Sequence, residues 1–218
     1  MDEQQHRQTA SQLRKPHGED GIKIAEFMNK GNRDINLNTI SIVNPKPKDT
    51  ILEVGMGNGF FVSEIVSKHP EIQYTGCDFS ELMIEEATKL NSGWISKGQA
   101  NFVLSDIADI PFMDNSFSTI FTVNTIYFWD DESLVLKGIR RILMPNGKFI
   151  VALRPKHQAE KYPFIKYGFK LFSKEDVTKL FEENGLSVSH IIEQKEPDFD
   201  MNGEIMAMEH LIVVGQKN

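Results

Sequence analysis

The chain of 218 residues has one cysteine, Cys77, so no disulfide can form within it and a packed core must hold the fold unaided. A thiol-poor chain of this kind reads as intracellular, and a cytoplasmic location is expected. No apolar run approaches the roughly 18 residues that a membrane-spanning helix needs, so no membrane partner is expected. The opening MDEQQHRQTA is polar and charged, which is not the pattern of a signal peptide. Lysine and arginine form no block and the net charge is −7, which disfavours nucleic acid as a general partner. H-E-x-x-H, a paired C-x-x-C and a carboxylate cluster of metal-ligand type are missing, so no metal is expected. G-x-S-x-G is missing too, as are internal repeats and low-complexity tracts. What remains, 40% hydrophobic and 25% charged, suits one soluble domain with at most a small appendage.

The informative stretch is Thr50 to Ile65, TILEVGMGNGFFVSEI. An apolar run, Ile51-Leu52-Glu53-Val54, leads into glycines at alternate positions, Gly55, Gly57 and Gly59. Phe61, Ile65 and Val66 then fall on one face of a helix-like pattern. Strand, glycine turn and helix open a nucleotide-binding βαβ unit, where glycine permits positive φ and close approach of a ligand to the backbone. The dinucleotide fingerprint G-x-G-x-x-G needs glycine at position 60, where Phe60 stands. The next strand, Gln73 to Cys77, ends at Asp78, 19 residues beyond Gly59. A carboxylate there has two acceptor oxygens suited to a ribose diol.

The pattern E-x-G-x-G-x-G, with Glu53 two residues ahead of Gly55, resembles the first motif of the class I S-adenosyl-L-methionine (SAM) dependent methyltransferases, of the small-molecule, methyltransferase-11-like kind. DFSELM resembles the family's D-x-S-x-x-M segment. The resemblance implies Asp78 on the ribose, with Phe79 and Met83 against the adenine, although a methionine at helical spacing equally serves packing. SDIADIPFMDNSFSTI resembles the third motif and its sequel. It implies that Asp106 accepts from the adenine amino group and that the Ile107 N–H bonds the ring. Asp109 competes with Asp106 at a poorer spacing, and Ser118 replaces the family's aspartate. The segment Asn124 to Asp130 matches the fourth motif, implying contact of Asn124 with the methionine end of SAM. Tyr127, Phe128 and Trp129 then either wall a dry acceptor pocket or pack, with Phe128 the first candidate for core.

The implied fold is α/β: a Rossmann-like, doubly wound, seven-stranded, mostly parallel sheet with a C-terminal antiparallel hairpin. Residues 1–45 are expected to form an N-terminal helical cap and residues 46–218 the SAM-binding domain. Residues up to about 20 read as a mobile polar lead with a loop at LRKPHGEDG, followed by helices at Ile22–Met28 and Ile35–Val43. The aromatic-rich stretch Arg154 to Phe172 has no clear period, and covers the substrate or forms a plain loop. Ser80 and Ser173 are N-cap candidates, and Leu186–Gln194 with His210–Gly215 are the last two strands.

The resemblance implies transfer of the sulfonium methyl of SAM to a small, partly apolar acceptor by in-line displacement. A general base is needed only for an acceptor with a firmly held proton. His17, His157 and His190 are weak candidates, and Tyr127 is the better-placed group to orient an acceptor. Two other activities share parts of the pattern: an NAD-dependent oxidoreductase and a non-catalytic SAM-binding protein. An aminopropyl transferase, a third relative, would carry acidic residues after strand four. Monomer and homodimer are both open.

Overall fold

The computed structural model describes residues 2–201 and 203–218. Three helices come first: α1 (Glu3–Arg14), α2 (Gly18–Gly31) and α3 (Arg33–Val43). Alternation then begins with β1 (Thr50–Val54), α4 (Ser63–Val66), β2 (Gln73–Asp78), α5 (Glu81–Leu90), α6 (Ser92–Ser96), β3 (Ala100–Leu104) and β4 (Phe117–Val123). It ends with α7 (Glu132–Ile142), β5 (Leu143–Leu153), α8 (Lys156–Ala159), α9 (Lys174–Glu183), β6 (Leu186–Met201) and β7 (Glu204–Lys217).

The seven strands form one sheet in the order β3-β2-β1-β4-β5-β7-β6. The first five run parallel, and β7 inserts antiparallel between β5 and β6. Alternate residues serve opposite faces. Phe149, Val151 and Leu153 join α7 and α9 on one face. Ile150 and Ala152 join Ile35, Ile40 and Val43 of α3 on the other. Burial on both faces is why these strands read as continuous apolar runs rather than as alternating ones. The chain crosses from β3 back to β4 beside β1, and this reversal of strand order leaves a cleft at the carboxyl ends of the strands, where open α/β sheets bind ligands.

Several sequence expectations change. The polar lead is a helix, because Asp2 and Gln5 form a reciprocal capping box and Ala10 and Gln12 are buried. The helix after the glycine turn is a single turn, with Ile65 and Val66 buried. The stretch from Asn91 to Gly98, read as a connection, contains α6. The last two strands run well past the apolar segments. Their polar extensions pair with one another from Gln194↔His210 to Asp200↔Ile205, so the hairpin supplies the backbone partners that apolar burial would otherwise require. Ser80 and Ser173 cap α5 and α9 as expected. The Ser80 hydroxyl also donates to the Pro16 carbonyl at 2.6 Å, tying the N-terminal helices to the sheet edge.

Candidate functional site

All three glycines of the turn have positive φ: 70° at Gly55, 58° at Gly57 and 67° at Gly59. Their surroundings differ. A Cβ on Gly55 would overlap Thr125 Cγ2, and one on Gly59 would lie 2.8 Å from Asn91 Nδ2. A Cβ on Gly57 would meet nothing within 4 Å and would project into open space. Gly55 and Gly59 are therefore fixed by packing, and Gly57 is the one whose lost side chain leaves room for a ligand.

That room is a cavity of about 210 Å³ at the carboxyl ends of β1, β2 and β4. The structure brings together in its lining Glu53, Gly55, Gly57, Asp78, Phe79, Met83, Asp106, Ile107 and Asn124. Of the expected binding residues Gly59 alone stays out, packed against Ala87 of α5. Asp109 does not line the cavity. Met83 is fully buried as well as lining, so packing and ligand-facing roles coincide.

Two carboxyls dominate the electrostatics. Glu53 is buried and accepts the Tyr74 hydroxyl on Oε2 at 2.6 Å. Burial pushes its pKa up to about 7, with the Asp78 charge adding to the rise and the Tyr74 bond opposing it. Burial also raises Asp78, to about 6, against hydrogen bonds from the Ser80 N–H to Oδ1 (2.9 Å) and the Gly57 N–H to Oδ2 (3.1 Å). The Asp78 carboxylate thus fixes the glycine turn at its centre. Asp106 is exposed and caps the 3₁₀ turn Ile107–Asp109 through the Ala108 N–H at 2.9 Å, using Oδ1.

A second cavity of about 120 Å³ adjoins the first, and Leu13, Met28, Asn32, Asn124 and Phe128 line both. Its walls come from α1, α2, the 154–172 insertion and the extended hairpin, through Phe27, Tyr162, Phe164, Phe169, Phe199 and Met208. Of the three consecutive aromatics, Tyr127 and Trp129 are buried in the core and Phe128 is half-buried. The expectation that Phe128 would be the core member is reversed. It turns toward the cavities and packs edge-on against Phe169 at 4.6 Å. Trp129 stacks on Phe149 instead, and its Nε1 has no hydrogen-bond partner among the described residues.

Asn124 sits at the junction with φ 57°, a left-handed conformation that asparagine tolerates. Its Nδ2 donates to Asn32 Oδ1 at 3.1 Å, and its Oδ1 accepts the Tyr127 hydroxyl at 2.9 Å. The same hydroxyl accepts the Arg154 N–H at 2.5 Å, and burial holds its pKa well above the ordinary range. The Tyr127 oxygen is thereby engaged on both sides within the protein. His17 stands at the N-cap position of α2 without a capping side-chain bond and is instead bonded to Gln12 and Lys15, His157 pairs with Glu209, and His190 lies exposed on β6; none lines either cavity.

Sequence reading missed Arg154, Glu196 and His210. All three are buried, with side-chain exposures of 5%, 3% and 0%. Glu196 pairs with the Arg154 guanidinium and with His210 Nδ1, the latter at 2.6 Å. Arg154 also donates to the Glu209 carbonyl at 3.0 Å and the Gly31 carbonyl at 3.1 Å. Burial raises the Glu196 carboxyl, but the His210 and Arg154 hydrogen bonds outweigh it and leave it below its ordinary value. These residues lie 42 and 56 positions apart along the chain, so only the strand pairing of the hairpin reveals the cluster.

A doubly wound sheet in this order, with a glycine turn and strand-end carboxylates around one cleft, is the Rossmann-like fold seen in SAM-dependent methyltransferase structures. Residues 52–151 match the family described as a methyltransferase domain. Among curated relatives, an O-methyltransferase from Aspergillus sclerotiorum is 32% identical over 47% of this chain and 38% of its own length. An O-methyltransferase from Pyrenophora dematioidea is 27% identical over 62% of this chain and 50% of its own. The chain thus spans half or less of these two relatives. A SAM-dependent methyltransferase structure from Aquifex aeolicus superposes with a TM-score of 0.70 at 18% identity, covering 90% of this chain and 98% of that one.

The lining fits SAM. Its carboxylates match the donors of a nucleoside, Gly57 leaves the backbone approachable, and the apolar Phe79, Met83 and Ile107 flank the same space. Among the described residues no group of His, Cys, Asp or Glu is arranged to hold a metal, and no helix is long and apolar enough to cross a membrane.

Proposed function

We propose that the protein transfers the methyl group of SAM to a small, partly apolar acceptor by in-line displacement. The observation that carries this reading is the pair of adjoining cavities, one edged by the glycine turn and the strand-end carboxylates, the other aromatic, meeting at Asn32 and Asn124. Bound SAM supplies the activated methyl and its leaving group. The chain's own task is to orient and to exclude water. Asp78 and Glu53 hold the ribose side, Asp106 and Ile107 the adenine edge, and Phe79 and Met83 its faces. Asn124 meets the methionine end. Tyr127 is a positioning residue, because its hydroxyl holds Asn124 and the Arg154 backbone. Residues 1–45 act as a cap on the 46–218 domain, with α1 and α2 over the cavities and α3 anchored in the core. A cytoplasmic location fits the composition.

Titration calorimetry with SAM, its demethylated product and NADH tests the reading, together with mass detection of methylated acceptors. SAM and its product are expected to bind and NADH is not; tight NADH binding without SAM binding would overturn the proposal. SAM binding with no methylation across a broad acceptor panel would favour the non-catalytic alternative.

Glu53 gives a prediction with a defined sign. Its folded pKa is raised above the ordinary 4.5 to about 7, so ionising it costs the folded state. Stability from this group is fullest below the ordinary value and declines as pH rises toward 7. Glu53→Gln, which keeps an acceptor for Tyr74, is expected to stabilise the ligand-free protein by roughly 1–3 kcal/mol at pH 8. At pH 4 it is expected to change little. Calorimetric melts at both values check this, and SAM affinity should fall in the same variant.

A further inference from the structure

Seven of the sixteen residues that line the second cavity are aromatic, yet it offers little free polar chemistry. Its polar side chains are Asn32, Asn124, Tyr127, Arg154 and Tyr162. Tyr127 is engaged by Asn124 and Arg154. Tyr162 donates to Met208 Sδ at 3.3 Å. The Arg154 guanidinium faces Glu196 and the Gly31 and Glu209 carbonyls. Asn124 is satisfied by Asn32 and Tyr127. Among the described residues that line this cavity, the Asn32 Nδ2 amide is the donor left without a protein acceptor, and no carboxylate, imidazole or amine lines it.

Two acceptor types fit such a wall poorly. A neutral hydroxyl would need a base to take its proton, and none lines the cavity. An anionic oxygen would be desolvated against one amide, since the Arg154 charge is already paired. A nitrogen lone pair needs neither. We propose, resting on the methyl-transfer reading above, that the aromatic cavity takes an uncharged, ring-bearing nitrogen base and that the acceptor atom is that nitrogen. The lone pair forms the N–CH₃ bond as the CH₃–S⁺ bond breaks. Positive charge passes from sulfur to nitrogen, the sulfur keeps the bonding electrons, and no proton moves. The rings of Phe27, Phe128, Phe164, Phe169 and Phe199 give that developing cation a set of electron-rich faces.

The test uses three matched probes, quinoline, 1-naphthol and 1-naphthoate, at pH 7.5. Binding is measured by calorimetry with and without the demethylated cofactor product, and methylation by mass after incubation with SAM. Quinoline is expected to bind at least tenfold more tightly than naphthoate and to give the N-methyl cation. Phe164→Ala and Phe199→Ala, both at the rim of the fold, are each expected to weaken quinoline about threefold to tenfold and to leave SAM affinity unchanged. If SAM binds and naphthoate binds best, naphthol alone is methylated, or no probe binds, the nitrogen-base proposal is overturned and the methyl-transfer reading stands. Failure of SAM itself to bind removes both.

Discussion

Replacing Gly57 by valine is expected to abolish SAM binding, at least a hundredfold, while the protein stays folded. The backbone there has φ 58°, where a β-branched residue is strained by about 1–2 kcal/mol. In a chain of this size that lowers the melting temperature by a few degrees. A Cβ there meets no protein atom within 4 Å, so the side chain starts out into open space. It would stand in the space the ligand needs, beside an N–H that holds Asp78. Gly55→Ala provides the opposite control. Its Cβ overlaps Thr125, so it should destabilise the protein more than it perturbs any remaining folded site. Calorimetric titration with SAM and thermal melts separate the two. A Gly57→Val protein with SAM affinity within threefold of the parent would remove this turn from the binding site.

Arg154→Met should be the most destabilising single change. It leaves Glu196 buried without its cation, and removing one partner of a buried pair typically costs about 3–5 kcal/mol. That corresponds to a fall in melting temperature of roughly 6–20 °C. Adding Glu196→Gln to Arg154→Met should recover part of the loss, because the orphaned charge is gone. The pH dependence runs opposite to that of Glu53. The folded Glu196 carboxyl is held below its ordinary value, so its contribution is present above the ordinary carboxyl range and disappears as pH falls through the folded value. Melts from pH 7 to pH 4 should therefore converge for the parent and the double variant. Equal melting temperatures for Arg154→Met and parent at pH 7 would show that the cluster is solvated rather than buried.

The parts of this molecule legible in its sequence are those where local spacing carries the chemistry. Gly55, Gly57 and Gly59 need positive φ, and each does adopt it. Asp78 and Asp106 end strands whose order follows from the βαβ pattern, so their convergence on one cleft was predictable. Ser173 with Asp176 announces a helix start in four residues. Legibility fails where contacts join distant segments. Helix α1 is polar on most of its surface, and Arg14 reaches across to Asp130 and Leu13 to both cavities through contacts that no local pattern encodes. Beyond Gln194 the apolar residues are set among charges, Pro197 and Gly203 and keep no strict alternation, so periodicity gave no strand there. Phe128 and Trp129 are adjacent aromatics that differ in burial: both line the first cavity, but only half-buried Phe128 reaches the second, while buried Trp129 stacks on Phe149.

The make-up of the aromatic cavity has an evolutionary consequence. Of its lining only Asn124, Tyr127 and Phe128 lie inside the span shared with the methyltransferase family, residues 52–151. The remaining wall is contributed by the first 32 residues and by everything after Leu153. The N-terminal helices line both cavities, through Leu13, Met28 and Asn32 among others, whereas the residues after Leu153 line the aromatic cavity and not the first. Substitutions after Leu153 can therefore reshape the aromatic cavity while the lining of the first stays under its own selection. On the methyl-transfer proposal, a chimera that keeps residues 1–153 and exchanges the segment after them with that of a relative is expected to shift acceptor choice toward the relative's while SAM affinity holds.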